Sequence, residues 1–304
     1  MNRYLLVLLF ARLSLSPAHA QEQRILTSDS VALYVQVKGE GPACLFIHGG
    51  PGSGSHWLEK FFGARLEKRF RMIYVDQRGV GRSGSPADGN FSLERVVQDF
   101  EEVRQALGIE RWLTLGHSFG GIVQAAYAEQ HPEAVSGLLM INCTLDMRES
   151  FCQSWVPHAS HVLGIDAPAE CPEEPAELMA AMMERIQQLH AQGLMWRMGF
   201  AAPASEAAMQ RTYGGIPDWN SDFAAVAFDL PDYWRDMRER TPHIAQPVLF
   251  FHGRTDHMVG PAHHAGIAFP RMMKWASDVG HMPFLEAPDD LERAIDTARA
   301  EFGW

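Results

Sequence analysis

Cysteine is scarce in this sequence, four residues in 304, and no C-x-x-C pair occurs. That excludes a disulfide-built scaffold and leaves no foothold for thiolate-ligated zinc or dithiol redox chemistry. Basic charge is also in deficit: 26 Lys and Arg stand against 37 Asp and Glu, for a formal net charge of −11. With no run of basic residues, nucleic acid and anionic membrane surfaces are poor partners. Long apolar runs are lacking too. The stretch Tyr4 to Leu15, interrupted by Arg12, is about 12 residues, where a bilayer span needs about 20. Preceded by Arg3 and followed by the small-x-small pattern Ala18-His19-Ala20, it reads as a secretory signal peptide over residues 1–20, cleaved after Ala20; an uncleaved N-terminal anchor is the alternative. The expected mature protein is secreted or periplasmic, free of the membrane, and more acidic by the loss of Arg3 and Arg12. No Walker pattern and no H-E-x-x-H occur, so neither a cofactor nor a metal is expected.

What is present is a chain 46% hydrophobic and 21% charged, enough to bury a large core. Short apolar runs alternate with amphipathic helical stretches: Ala43 to His48, a helical stretch to about Arg69, Arg71 to Gln77, Ser92 to Leu107, Trp112 to Gly116, about Phe119 to Gln130, and Val135 to Cys143. Such alternation predicts an α/β fold with a mainly parallel sheet covered by helices on both faces. Ile25 to Lys38 alternates loosely and predicts an antiparallel edge hairpin. From about Leu145 to Arg240 the strand pattern stops and helix formers dominate, which predicts an inserted helical cap over 146–240, between core segments 21–145 and 241–304. Strands resume at Pro247 to His252 and Arg271 to Trp275, and a helix from Pro288 ends the chain. Cys44 and Cys143, in or beside apolar runs, are expected as buried thiols. Cys152 and Cys171 lie in a polar, irregular stretch, where a bond between them and two free thiols are both open.

The motif with the most chemical content is Gly116-His117-Ser118-Phe119-Gly120-Gly121, a G-x-S-x-G between an apolar run and a helix. A strand turning abruptly into a helix lifts the central serine at the sheet edge, and flanking glycines permit the close approach. A serine hydroxyl is a weak nucleophile, so it needs a base in hydrogen-bonding reach and an acceptor that fixes the base's tautomer. His281, after the last strand, is the candidate base. Asp256, on the loop after the preceding strand, is the candidate acid, and Asp146, just past Cys143, is its rival. His252 reads as a strand-end core histidine, His257 duplicates the neighbour of Asp256, and His263-His264 has no partner ligands in metal spacing. Developing oxyanion charge calls for fixed N–H donors: that of Phe119 and one from His48-Gly49-Gly50-Pro51-Gly52, for which Gly50 is named. Gly79-Val80-Gly81-Arg82-Ser83-Gly84 satisfies G-x-G-x-x-G, but a Ser-Pro-Ala-Asp-Gly turn follows instead of a helix, so it reads as a shaped loop and not a dinucleotide site.

Together, His48 to Gly52, Asp76-Gln77-Arg78-Gly79-Val80-Gly81-Arg82-Ser83, Gly116 to Gly121, Asp256 and His281 resemble the proline iminopeptidase-like branch of the α/β-hydrolases. The resemblance covers roughly 24–145 and 241–304. It implies the α/β-hydrolase fold, a serine hydrolase triad, and a supporting role for Asp76 to Ser83 in which Arg78 ties loops together. Proline iminopeptidases usually carry Gly-Gly-Ser-Trp-Gly or Gly-Gln-Ser-Trp-Gly at the elbow and bind the substrate amine through cap glutamates. Here the elbow is Gly-His-Ser-Phe-Gly, and cap acids such as Glu173, Glu174, Glu177 and Glu184 fall in no matching motif. The cap is instead rich in Trp155, Trp196, Trp219 and Trp234 and in Met179, Met182, Met183, Met195, Met198 and Met209. These are a core for the cap or, where they face Ser118, a wall for a bulky, partly apolar ester. The exported form, the HGGPG loop and the GHSFGG elbow are also similar to those of serine esterases that open the lactone of macrolide antibiotics. The expected substrate is therefore a small-molecule ester or lactone, with N-terminal proline release from peptides as the alternative and a non-catalytic binding protein as a third reading.

Overall fold

Residues 21–304 are described by a computed structural model; the leader reading falls on residues 1–20, outside the described residues. Eight strands form one sheet in the order β1-β2-β4-β3-β5-β6-β7-β8. They are β1 (Gln21–Leu26), β2 (Ala32–Lys38), β3 (Ala43–Ile47), β4 (Arg71–Val75), β5 (Trp112–Ser118), β6 (Val135–Cys143), β7 (Val248–Gly253) and β8 (Met272–Ser277). β1 and β2 form the antiparallel edge hairpin, with Gln21 opposite Val37 and Leu26 opposite Ala32, and β2 runs antiparallel to β4. From β4 to β8 all pairings are parallel.

The central strands read as unbroken apolar runs because both faces are covered. Leu45, Ile47, Ile73 and Val75 enter one hydrophobic cluster, while their neighbours Cys44, Phe46, Met72 and Tyr74 enter the other. Cys44 and Cys143 are buried free thiols. Helix α1 (Leu93–Ala106) is capped by Ser92, whose hydroxyl accepts the Arg95 N–H, and buries Leu93, Val96, Val97, Phe100 and Val103 at helical spacing. Helix α2 (Gly120–Gln130) is buried nearly all round, Gly120 through Ala128, as a helix at the centre of a fold must be.

Between the end of β6 and the start of β7 the described chain adds no strand to the sheet. It forms α3 (Val156–Leu163), α4 (Pro175–Ala191) and α5 (Pro203–Tyr213), with shorter turns between them. These helices carry a cluster of their own, built on Trp155, Val156, Ala159, Leu178, Met182, Leu189 and Met198. Cys152 and Cys171, left open by the sequence, are joined by a disulfide with Cα atoms 5.6 Å apart. Helix α6 (Pro288–Phe302) starts with proline in its first turn, stops at Gly303 in the left-handed conformation, and buries Leu291, Ala294, Ile295 and Ala298.

Candidate active site

Strand order reverses around β3, so the loops leaving β3 and β5 lie side by side at the carboxyl ends of the parallel strands, where α/β sheets place their sites. β5 ends at Ser118, and α2 begins at Gly120. The turn between them holds Ser118 at φ 56°, a conformation that costs a non-glycine residue about 1–3 kcal/mol. Backbone crowding shows why glycines flank it. A Cβ on Gly120 would lie 2.3 Å from the Ile47 carbonyl oxygen, and one on Gly49 would lie 2.5 Å from the His117 carbonyl oxygen and 3.2 Å from the Phe119 nitrogen. The His48–Gly52 loop is thus packed directly over the elbow. Among the described residues neither the Gly50 nor the Phe119 N–H is taken up by an acceptor, which leaves both open to a ligand.

That loop is held from below. The buried His48 ring accepts the Gln77 N–H at 3.1 Å, and Gln77 Nε2 returns a bond to the His48 carbonyl at 3.0 Å. Asp76, fully buried, accepts from Ser55 N and Oγ at 2.8 Å and from both sides of the Arg82 fork at 2.7 and 3.0 Å. Burial alone pushes its pKa up, but Arg82 outweighs this and keeps the carboxyl below the ordinary aspartate range. Arg78, also fully buried, pairs with Asp99 at 2.6 Å and Asp29 at 2.9 Å and donates to the Asn90 carbonyl at 2.9 Å. It ties its own loop to the β1–β2 turn and to helix α1. The Gly79–Gly84 segment closes as a turn through Gly79 N–H to the Gly84 carbonyl, 2.8 Å, and no helix follows until Leu93.

His281 and Asp256 meet. Nδ1 of His281 lies 3.0 and 3.1 Å from the two carboxylate oxygens, and Asp256 also accepts the N–H groups of Met258 at 3.0 Å and Val259 at 3.2 Å. Burial raises the Asp256 pKa; its interaction with the His281 ring and the bond from the Val259 N–H more than offset it, leaving the carboxyl below its ordinary range. An ionised carboxylate only accepts, so Nδ1 carries the proton and Nε2 presents a lone pair. Asp146 is engaged elsewhere: it caps the turn at Met147, accepting the Glu149 N–H, and pairs with Arg238 at 2.7 Å.

The other histidines weighed from the sequence are held by packing and hydrogen bonds away from Ser118. His263 is buried, accepts the Leu145 N–H at 2.9 Å and pairs with Glu149, and His252 stacks on His264 with ring centroids 3.9 Å apart. His257 stacks on His158 of α3 at 3.7 Å. The elbow's His117 packs against Trp57 and His281 and places Nε2 3.0 Å from the His281 carbonyl oxygen. Its burial holds the pKa down at about 3, so it is a neutral donor there.

Ser118, His281 and Gly50 line one cavity of about 280 Å³. Its far wall comes from the intervening helices: Met195 and Met198, then Glu206, Met209, Gln210 and Tyr213 of α5. Trp57 lines it as well, but Trp155, Trp196, Trp219 and Trp234 do not. Trp155 is in the helices' own core, Trp234 packs on Phe151, and Trp219 packs on His56 and Tyr213. Sequence reasoning also missed Glu206, since Glu173, Glu174, Glu177 and Glu184 lie away from the cavity while this carboxylate, half-buried, lines it. A charge in the first turn of a helix is an ordinary capping feature, so only the packing of α5 marks it out.

Residues 42–288 match the family model for the alpha/beta hydrolase fold. A stretch of 104 residues is 42% identical to the proline iminopeptidase of Neisseria gonorrhoeae, covering 33% of this chain and 32% of that protein. The match to this relative thus spans about a third of its length. Among solved structures, a proline iminopeptidase-related protein of Thermus thermophilus superposes with a TM-score of 0.75 at 23% identity, over 93% of this chain and 98% of its own. An esterase described as an N-acyl homoserine lactone degrading enzyme superposes at 0.68 with 23% identity, over 90% and 98%. The chain therefore belongs to the α/β-hydrolase fold family, and over about a third of its length it is similar to proline iminopeptidases.

Proposed function

We propose that the chain is an exported serine hydrolase that cleaves a carboxylic ester or lactone of a bulky small molecule through an acyl-enzyme. One observation carries this reading: Ser118 and His281 open on one cavity, and His281 is held by a buried, ionised Asp256 in the tautomer that can take a proton. Nε2 of His281 removes the Ser118 proton as Oγ adds to the carbonyl carbon. The oxyanion is met by the N–H groups of Gly50 and Phe119, each worth about 3 kcal/mol of barrier. The imidazolium then protonates the leaving alcohol, and water repeats the sequence to free the acid. The methionine-rich wall supports an apolar, variable substrate, since unbranched thioethers repack around different shapes. A macrolactone of the macrolide type fits that description. Export is supported by the apolar run before Ala18-His19-Ala20 and by the Cys152–Cys171 disulfide, a bond typical of oxidising compartments.

Glu206 favours a second reading. A carboxylate on the wall of the cavity that Ser118 also lines suits a substrate with a protonated amine, which an N-terminal proline carries and so does an amino-sugar macrolactone. The deciding experiment compares the purified protein with its Ser118→Ala variant on an aryl ester, a macrolide and a prolyl arylamide, with products identified by mass. Serine-dependent addition of one water to the ester or lactone supports the proposal. Proline release with no ester turnover overturns it in favour of the iminopeptidase.

A further inference from the structure

The base of the site is held by contacts that the reaction itself does not use. β5 and β6 pair in step from Leu113 opposite Gly137 to His117 opposite Ile141, and the next pair is Ser118 opposite Cys143. Asn142 is thus the extra residue of a β-bulge, level with the nucleophile, and its φ of 46° is left-handed. A bulge re-aims the side chain that the pleat would otherwise direct. Here the side chain is buried, and its amide is spent on two backbones. Nδ2 donates to the Gly280 carbonyl at 2.8 Å, and Oδ1 accepts the Gly253 N–H at 2.8 Å.

Gly280 precedes His281 in the chain. Gly253 opens the turn that carries Asp256, whose N–H returns to the Gly253 carbonyl at 3.3 Å. One planar amide therefore joins the loop of the base to the loop of the acid. The two loops are in backbone contact, since a Cβ on Gly253 would lie 2.3 Å from the Val279 carbonyl oxygen. Two further bonds complete the hold on His281: its N–H donates to the Gly199 carbonyl at 3.2 Å, and its own carbonyl accepts from His117. With the peptide groups on both sides of its Cα fixed, the imidazole has little freedom left.

Resting on the reading of Ser118, His281 and Asp256 as a triad, we infer that Asn142 is a positioning residue for the base, setting the His281–Asp256 geometry through Gly280 and Gly253. Its chemistry suits the place. Asparagine carries a donor and an acceptor on a short stem and tolerates a left-handed backbone better than other side chains. Aspartate keeps the stem and the acceptor for Gly253, but turns a second acceptor toward the Gly280 carbonyl. Glycine keeps the backbone and loses both bonds.

The test compares wild type, Asn142→Gly, Asn142→Asp and a remote core variant, Val103→Ala, by fluorophosphonate labelling rate of Ser118, by kcat and KM on an aryl ester, and by thermal midpoint. In both Asn142 variants the labelling rate and kcat are expected to fall about ten- to a hundredfold, the cost of a base displaced by up to an ångström, while KM stays within roughly twofold because the cavity wall is untouched. Val103→Ala should lower the midpoint and leave kcat in place. Wild-type kcat in either Asn142 variant, or a loss no larger than that of Val103→Ala at equal midpoint, overturns the inference. Failure of folded wild type to label overturns the triad reading and carries this inference with it. The nearly isosteric Asn142→Asp keeps the comparison decisive if the glycine variant does not fold.

Discussion

A carboxylate can fix an imidazole tautomer only when it is ionised and within reach, and only one of the two candidate acids meets both conditions. Asp256 has its oxygens 3.0 and 3.1 Å from Nδ1 of His281, whereas Asp146 faces Arg238. Asp256→Asn should lower kcat by about 10⁴, because an amide can donate to Nδ1 and stabilise the wrong tautomer. Asp146→Asn should keep kcat within about threefold and lose a little thermal stability with its ion pair. Steady-state kinetics on one aryl ester decides both, and a collapse of activity in Asp146→Asn alone would move the acid to the earlier loop. His117 offers a third handle at this scale. Held neutral by burial, it should show by nitrogen NMR an Nε2-protonated neutral ring at pH 5, where an exposed histidine of ordinary pKa, about 6.5, is mostly charged.

At the scale of elements, the strands and the elbow were legible in the sequence because their cause is local. β3, β4, β5 and β6 are short apolar runs, and the elbow's glycines stand at fixed offsets around Ser118 in a strand-to-helix turn. Asp256 and His281 could be named because each follows a strand. The bulge at Asn142 left no trace in the hydrophobic pattern, since one extra residue in an apolar run changes no periodicity. The cavity wall was equally hidden: α5 presents Glu206, Met209, Gln210 and Tyr213 to Ser118 only through how the helices pack. Glu206→Gln should therefore raise KM for an amine-bearing substrate by roughly tenfold, the worth of a partly exposed charged hydrogen bond, and leave KM for a neutral aryl ester unchanged. Equal effects on both substrates would remove Glu206 from recognition. The disulfide flanks α3: it closes a loop with a sequence separation of 19, for which chain entropy suggests about 3 kcal/mol. Cys171→Ser should lower the thermal midpoint in proportion and leave turnover at 25 °C nearly intact.

The whole molecule carries a further consequence of burying so many rings. Burial holds His48 below the ordinary histidine range, His56 down at about 4 and His117 down at about 3. In the unfolded chain each takes up a proton near pH 6.5. Below that pH the unfolded state therefore binds protons that the folded state refuses, and stability falls as pH falls, from about 6.5 through the folded values. The depressed carboxyls of Asp76 and Asp256 act later, since their contribution is present above pH 3.8 and is lost only below it. Acid loss of stability should thus begin in the histidine window, well before the carboxylates matter. His56 lets the cause be isolated because its ring packs edge-on against Tyr213 and Trp219, contacts that phenylalanine can reproduce, while the loss of its bond with the Thr212 hydroxyl at 3.2 Å lowers the midpoint at pH 7 as well. His56→Phe should flatten the fall in thermal midpoint between pH 7 and pH 5 by an amount on the order of 1 kcal/mol, after allowing for solvent screening. That corresponds to roughly 2 to 4 °C in a chain of this size. A midpoint that falls as steeply in the variant as in wild type would assign the acid sensitivity to groups other than His56, with His48 and His117 the next to replace.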